Sequence, residues 1–277
     1  MINHQLPVAL PEGYVEFFRN LENWQNEEVI KLKQNYQPPR QDIVKSLEQS
    51  KRALMQQVNP GIEPQKLKET YLRLLIWLQK ARPAISGEIS KLLAQAEGLD
   101  FEEIAAAFTK GNDEYFAGLA EKVGIAYDLL FFTIDHALRP FLRVFAAPYE
   151  EELPVAENLP WDFPANCPVC GAKAHICRLT EEEGHRLMFC DRCFSEWEIR
   201  YLFCPYCGHD KPGEISYITV ENDNSAYKVY VCEKCKGYVK TYDQRDGAEP
   251  TDLYIANIET IYLDMLAQEK GYTNHDE

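Results

Sequence analysis

Four C-x-x-C pairs constrain this chain more than anything else in it: Cys167/Cys170, Cys190/Cys193, Cys204/Cys207 and Cys232/Cys235 take eight of its nine cysteines. Two residues between cysteines let a tight turn aim both sulfurs at one ion, and two such knuckles complete a four-thiolate tetrahedron. Two metal sites are therefore expected. Each site opens on C-P-x-C-G, as Cys167-Pro168-Val169-Cys170-Gly171 and Cys204-Pro205-Tyr206-Cys207-Gly208. Proline sets φ after the first thiolate, and glycine permits a positive φ after the second. The closing knuckles, Cys190-Asp191-Arg192-Cys193 and Cys232-Glu233-Lys234-Cys235, have neither residue. Four disulfides would suit a secreted domain, but Met1 to Tyr14 has neither the basic start nor the apolar core of a signal peptide. A thioredoxin-type redox pair wants a helix N-terminus, whereas strand-like alternation follows these pairs.

The duplication extends beyond the cysteines. Lys173 to Leu179 alternates, Glu181-Glu182-Glu183-Gly184 turns, and a run to Phe189 delivers Cys190; Glu214 to Val220, the turn Glu221 to Ser225 and Tyr227 to Val231 repeat the plan up to Cys232. Each unit reads as a hairpin with a knuckle at either end and a further strand beyond. That geometry pairs Cys167/Cys170 with Cys190/Cys193, and Cys204/Cys207 with Cys232/Cys235. Phe194 to Phe203, free of glycine and proline, reads as one strand shared by both units. Cys177 reads as a small core residue outside the pairs. His175, His185 and His209 flank the knuckles but are not needed as ligands where four cysteines are at hand.

Ahead of the cysteines, Tyr14 to about Ala147 has helical periodicity for six or seven helices. One reading places Val15, Phe18, Leu21 and Val29 on the first helix, and Ile43, Leu47, Leu54 and Val58 on a second from Asp42 to Val58. Leu67, Tyr71, Leu74, Leu75 and Leu78 make the clearest stripe. Asp100 and Asn112 are expected N-caps. Ile125 to Ala147 is apolar almost all round but carries Asp128, Asp135, His136, Arg139 and Arg143, which suits a buried core helix and not a membrane span. Pro140 should kink it near Leu138 or end it there. Asp135 and Arg139 read as an i, i+4 pair with His136 a structural residue between them. Pro148 to Pro164 is a proline-rich acidic linker, with Trp161 and Phe163 capping the first unit or docking it on the helices. Asp252 to Lys270 returns to one helix, with Ile258, Ile261, Tyr262, Met265 and Leu266 on its stripe, Gly271 as its stop, and Thr273 to Glu277 frayed.

The fold class is α+β: an all-α domain with its linker (1–160), a first four-Cys ribbon (161–203), and a second four-Cys ribbon with the closing helix (204–277). A net charge of −15 argues against nucleic acid, because no basic stripe offsets it; Cys167 to Lys240 holds ten Lys/Arg against eleven Asp/Glu. Hydrolytic and phosphoryl-transfer chemistry has no visible residues, so no catalytic role is assigned. The residues alone describe a metal-stapled binding protein on an acidic helical body. A zinc-ribbon nucleic-acid binder and a thiol or iron redox protein stand as alternatives.

The ordered set resembles the formate dehydrogenase accessory protein family, FdhE. The match runs through Ala137-Leu138-Arg139-Pro140-Phe141-Leu142, the knuckle at Cys167 to Gly171, Cys190 to Cys207 with Trp197 and Arg200 between, Cys232 to Tyr238, and Ala267-Gln268-Glu269-Lys270-Gly271-Tyr272. The resemblance implies a non-catalytic, cytoplasmic maturation factor that contacts the catalytic subunit of formate dehydrogenase. It also implies iron in rubredoxin-like sites at Cys167, Cys170, Cys190, Cys193, Cys204, Cys207, Cys232 and Cys235; tetrahedral sulfur suits iron or zinc alike, so two ions per chain of either metal are expected.

Overall fold

Among the described residues, apolar positions at helical spacing become eight α-helices ahead of the cysteines: α1 (Tyr14–Lys33), α2 (Ile43–Ser50), α3 (Leu54–Gln57), α4 (Pro64–Ala81), α5 (Ser86–Gln95), α6 (Phe101–Lys110), α7 (Asp113–Val123) and α8 (Tyr127–Ala146). The structure is a computed structural model and describes residues 10–37, 39–154, 159–181, 184–219, 226–245 and 248–276. The opening segment to Ala9, Pro38, linker residues 155–158, Glu182 and Glu183, Val220 to Ser225, Asp246 and Gly247, and Glu277 lie outside the described residues.

Eight helices replace the expected six or seven because the span from Asp42 to Val58 is two helices, not one. Lys51 adopts a left-handed φ of 54° and closes α2, and Ala53 is extended before α3 begins. Asp100 and Asn112 cap α6 and α7 through bonds from the Glu102, Glu103 and Tyr115 amides. The stripe of α4 is buried throughout, whereas α1 buries Leu21, Trp24 and Leu32 on its inner face.

Helix α8 is the axle of the body, buried from Thr133 to Ala146 and packed by α1, α4 and α7. No described helix is long and apolar enough to cross a membrane. Pro140 does not end α8, which runs on to Ala146. A proline has no N–H, so the carbonyl of His136 loses its i+4 donor; Gln25 of α1, with no exposed surface, donates to that carbonyl at 3.2 Å. The helix continues because a neighbour supplies the missing bond.

The sheet strands are β1 (Ile176–Leu179), β2 (Arg186–Phe189), β3 (Glu196–Ile199), β4 (Ile215–Ile218), β5 (Tyr227–Cys232) and β6 (Tyr238–Asp243), in the order β3-β2-β1-β6-β5-β4. Each half is an antiparallel meander, and the halves join through one parallel pair, Ile176↔Lys240 to Leu179↔Asp243. The shared strand expected at Phe194 to Phe203 is therefore corrected. Only Glu196–Ile199 is strand, it lies at a sheet edge, and Tyr201 and Leu202 bend away exposed. Alternation marks a strand without naming its partner.

The closing helix is also two elements, α9 (Leu253–Glu259) and α10 (Ile261–Glu269), parted at Thr260. The break serves two surfaces: α9 packs on α1 and β1, and α10 on β5 and β6. Tyr262, Leu263 and Ala267 face inward, while Met265 of the expected stripe is 46% exposed. The tail expected to fray is folded onto the sheet instead. Thr273 exchanges backbone bonds with Lys236 and Tyr238 at 2.7 and 3.0 Å, an added parallel bridge that its composition does not announce.

Candidate metal centres

All eight paired cysteines are free thiols, and the fold gathers them into two groups: Cys167, Cys170, Cys190, Cys193, and Cys204, Cys207, Cys232, Cys235. Within each group the sulfurs lie within 4.8 Å of one another. The close approaches cross between knuckles in the same way: Cys167 to Cys193 and Cys170 to Cys190 at 3.5 Å, Cys204 to Cys235 at 3.5 Å, Cys207 to Cys232 at 3.8 Å. Four sulfurs about 2.3 Å from one ion stand about 3.8 Å apart in a tetrahedron, so both groups fit a four-thiolate ion. Each is capable of holding one.

All four knuckles share one backbone. The amide of each first cysteine donates to the carbonyl five residues on: Cys167 to Ala172 (2.7 Å), Cys190 to Ser195 (3.0 Å), Cys204 to His209 (2.8 Å), Cys232 to Gly237 (2.9 Å). The residue after each second cysteine is left-handed: Gly171 at 79°, Phe194 at 65°, Gly208 at 69°, Lys236 at 58°. The closing knuckles thus make the glycine turn without glycine, at a cost of about 1 kcal/mol or more each. Local contacts hold them there. Arg143 lays its guanidinium 3.6 Å over the Phe194 ring, and Lys236 pairs with Glu233.

The first group is built into the helical core. Amides of Leu54 and Met55, at the start of α3, donate to Pro168 and Val169 at 2.9 Å, and a Cβ on Gly171 would stand 3.3 Å from that of Ala53. The closing knuckle is gripped by α8: Arg139 donates to Asp135 at 2.7 Å and to the Asp191 carbonyl at 3.0 Å, while Arg192 ion-pairs with Asp135 at 2.7 Å. Burial alone would push the Asp135 carboxyl up, but Arg139 and Arg192 hold it well below the usual carboxylate range. Burial and the Arg139 charge push His136 well below its ordinary value, so its ring is neutral. Its Nδ1 accepts from Gln25 Nε2 at 2.9 Å, and Gln25 Oε1 accepts from Arg143 at 2.8 Å. The expected i, i+4 pair exists, then, but as part of a buried seam between helix and knuckle.

The second group lies outside the apolar core that takes in the first, with Cys207 and Cys235 partly exposed. Burial pushes the Cys167 and Cys204 thiols up, and Cys235 to about 11. At Cys207 burial pulls the same way, but a bond from the His209 backbone and the neighbouring sulfurs bring it below its ordinary value. Arg186 of β2 ties the units together: 1% exposed, it donates to the Cys177 sulfur at 3.4 Å and to the Phe203 carbonyl, just before Cys204, at 2.9 Å. Cys177 joins neither group. His209 lies 2.7 Å from Glu214, His175 3.5 Å from Asp276 and His185 2.5 Å from Glu198. Trp161 donates to the Asn166 carbonyl beside the first knuckle, but Phe163 is 51% exposed and rests edge-on against Trp161.

Residues 189–276 match the family described as FdhE, C-terminal domain. The chain resembles FdhE. An FdhE homolog of Aquifex aeolicus is 32% identical over 153 residues, 54% of this chain and 51% of the relative. One of Pectobacterium atrosepticum is 26% identical over 211 residues, 74% and 62% of the two chains. The chain thus spans about half to three-fifths of the length of these FdhE relatives. The crystal structure of the FdhE protein from Pseudomonas aeruginosa has the same fold, with a TM-score of 0.58 at 16% identity over 95% of this chain and 87% of that one.

Sequence reasoning found the FdhE-like cysteines and missed their supports. Gln25, Ala53 to Met55 and the Thr273 tail carry no motif, and the knuckle motif leaves the identities of Asp191 and Arg192 open. One signal was available, since a proline inside a helix calls for a donor elsewhere.

Proposed function

We propose that this chain is a non-catalytic accessory factor for formate dehydrogenase, acting in the cytoplasm on that enzyme's catalytic subunit. Cys167, Cys170, Cys190 and Cys193 hold one ion in this reading, and Cys204, Cys207, Cys232 and Cys235 a second, iron or zinc, since tetrahedral sulfur suits both. The observation that carries it is the pair of four-cysteine groups set in an FdhE-like fold along nearly the whole chain. The ions staple the knuckles, and the cysteine side chains do no redox work in this role.

The test is co-purification. A tagged chain expressed beside a formate dehydrogenase should retain the catalytic subunit, and cells lacking the chain should make that subunit in inactive form. Normal formate dehydrogenase activity in such cells would overturn the reading.

A further inference from the structure

Resting on the reading that both groups hold ions, the two are built for different traffic. Around the first, Cys167, Cys170, Cys190 and Cys193 are all buried, and helices close both knuckles. Beside the second runs a cleft of about 770 Å³ whose wall includes Trp161, Phe163, Tyr206, Cys207, Cys235 and His275. Its wall takes in both partly exposed cysteines, one from each knuckle.

The C-terminal tail narrows that approach. His275 holds a left-handed φ of 58° and lies 4.9 Å from the Tyr206 ring, centroid to centroid, and Lys173 donates to its carbonyl. Its Nε2 is buried without a hydrogen-bond partner among the described residues. A Cβ built on Gly237 would meet Tyr206 at 2.7 Å, this Nε2 at 3.0 Å and the Cys235 sulfur at 3.1 Å, so glycine is what lets the tail close over the cysteine.

We propose that the second group is an exchange site for soft donors, a thiolate of a partner above all, entering by this cleft, while the first is a locked staple. The incoming sulfur bonds the ion as Cys207 or Cys235 lets go. The proton shed by the incoming thiol is taken up by the released cysteine, and no electron moves. An ion held by thiolates behind aromatic walls favours a soft donor over a hard one.

The test uses the full chain loaded with zinc and challenged with a chromogenic pyridylazo chelator. Two equivalents should be bound, one leaving about ten- to a hundredfold faster than the other, the range over which groups beyond the ligands tune metal retention. A small dithiol should speed only the fast equivalent, in proportion to its concentration. Cys207→Ser should lose the fast equivalent and keep the slow one. His275→Ala, which leaves every ligand in place, should speed the fast phase alone. Single-phase release of two equivalents, a fast phase surviving in Cys207→Ser, or indifference to both dithiol and His275→Ala overturns the exchange site and leaves the metal reading standing. Fewer than two equivalents in the unaltered chain overturns the metal reading itself.

Discussion

The two cysteine groups share a knuckle backbone and a pattern of sulfur approaches, yet one belongs to the core of the helical body and the other to a sheet beyond it. The side chains are the same in both; surroundings differ. The first group spends amides of α3 and charges of α8 on its two knuckles. The second is supported by strand, by Arg186 and by the tail. Identical sets of four cysteines can therefore be a keystone or an appendage of the fold, according to what is packed against them.

The sharpest break is Cys170→Ser. Ion binding in structural four-thiolate sites supplies about 10–16 kcal/mol, as much as the roughly 5–15 kcal/mol that holds a domain. Since this group sits in the helical core, helical circular dichroism and the thermal transition of the body should collapse together with the metal. Cys207→Ser removes the same chemistry from the second group. There one equivalent should be lost and β4 to β6 loosened, while the helical signal stays near that of the unaltered chain. If the two variants melt alike, burial does not distinguish the sites.

Arg139→Leu tests the seam between body and first knuckle. It leaves Asp135 with Arg192 alone and strips the donor from the Asp191 carbonyl. Breaking a buried pair costs about 3–5 kcal/mol, and Arg192 keeps this case near the lower end. Urea unfolding should show that loss, together with faster metal release from the slow equivalent. A smaller effect, about 2 kcal/mol, is expected for Gln25→Leu, which leaves His136 O, His136 Nδ1 and Arg143 short of partners. Pro140→Ala should recover part of it, because an amide at 140 can then serve the His136 carbonyl; additive costs in the double-mutant cycle would refute the supply of that bond by Gln25.

How far the sequence carried differs between these parts in the same physical way. The cysteine knuckles were legible because their pattern is local: two residues between cysteines bring both sulfurs to one turn, whatever surrounds it. Helices with strong stripes, such as Leu67 to Leu78, were legible for the same reason. What escaped is non-local. Nothing in Phe194 to Phe203 says which strand lies beside it, nothing in Thr273 to Asp276 says that the start of β6 awaits it, and Lys51 ends α2 in a conformation that its side chain does not advertise. Pro140 takes a donor from the helix locally, and a residue more than a hundred positions away supplies one to the carbonyl left behind.

The finest test of the comparison sits at the left-handed residue that closes each group. Lys236→Gly relieves a conformation costing about 1 kcal/mol or more for a residue with a Cβ, and offsets that by giving the unfolded chain more freedom, about 0.5–1 kcal/mol. Its exposed pair with Glu233 contributes little. A net gain of about 0.5 kcal/mol in the second unit should follow, read as slower local amide exchange in β5 and β6. Phe194→Gly relieves the same strain in the first group but removes a ring set between the Arg143 guanidinium at 3.6 Å and the rings of Phe189 and Tyr254. Truncating a packed aromatic costs about 3–5 kcal/mol in a core, and this ring is only partly buried, so a net loss of about 2 kcal/mol is expected. Opposite signs for one backbone substitution at equivalent turns would show that the first knuckle is held by the body and the second by itself; equal signs would show that the shared turn geometry, and not its surroundings, governs both.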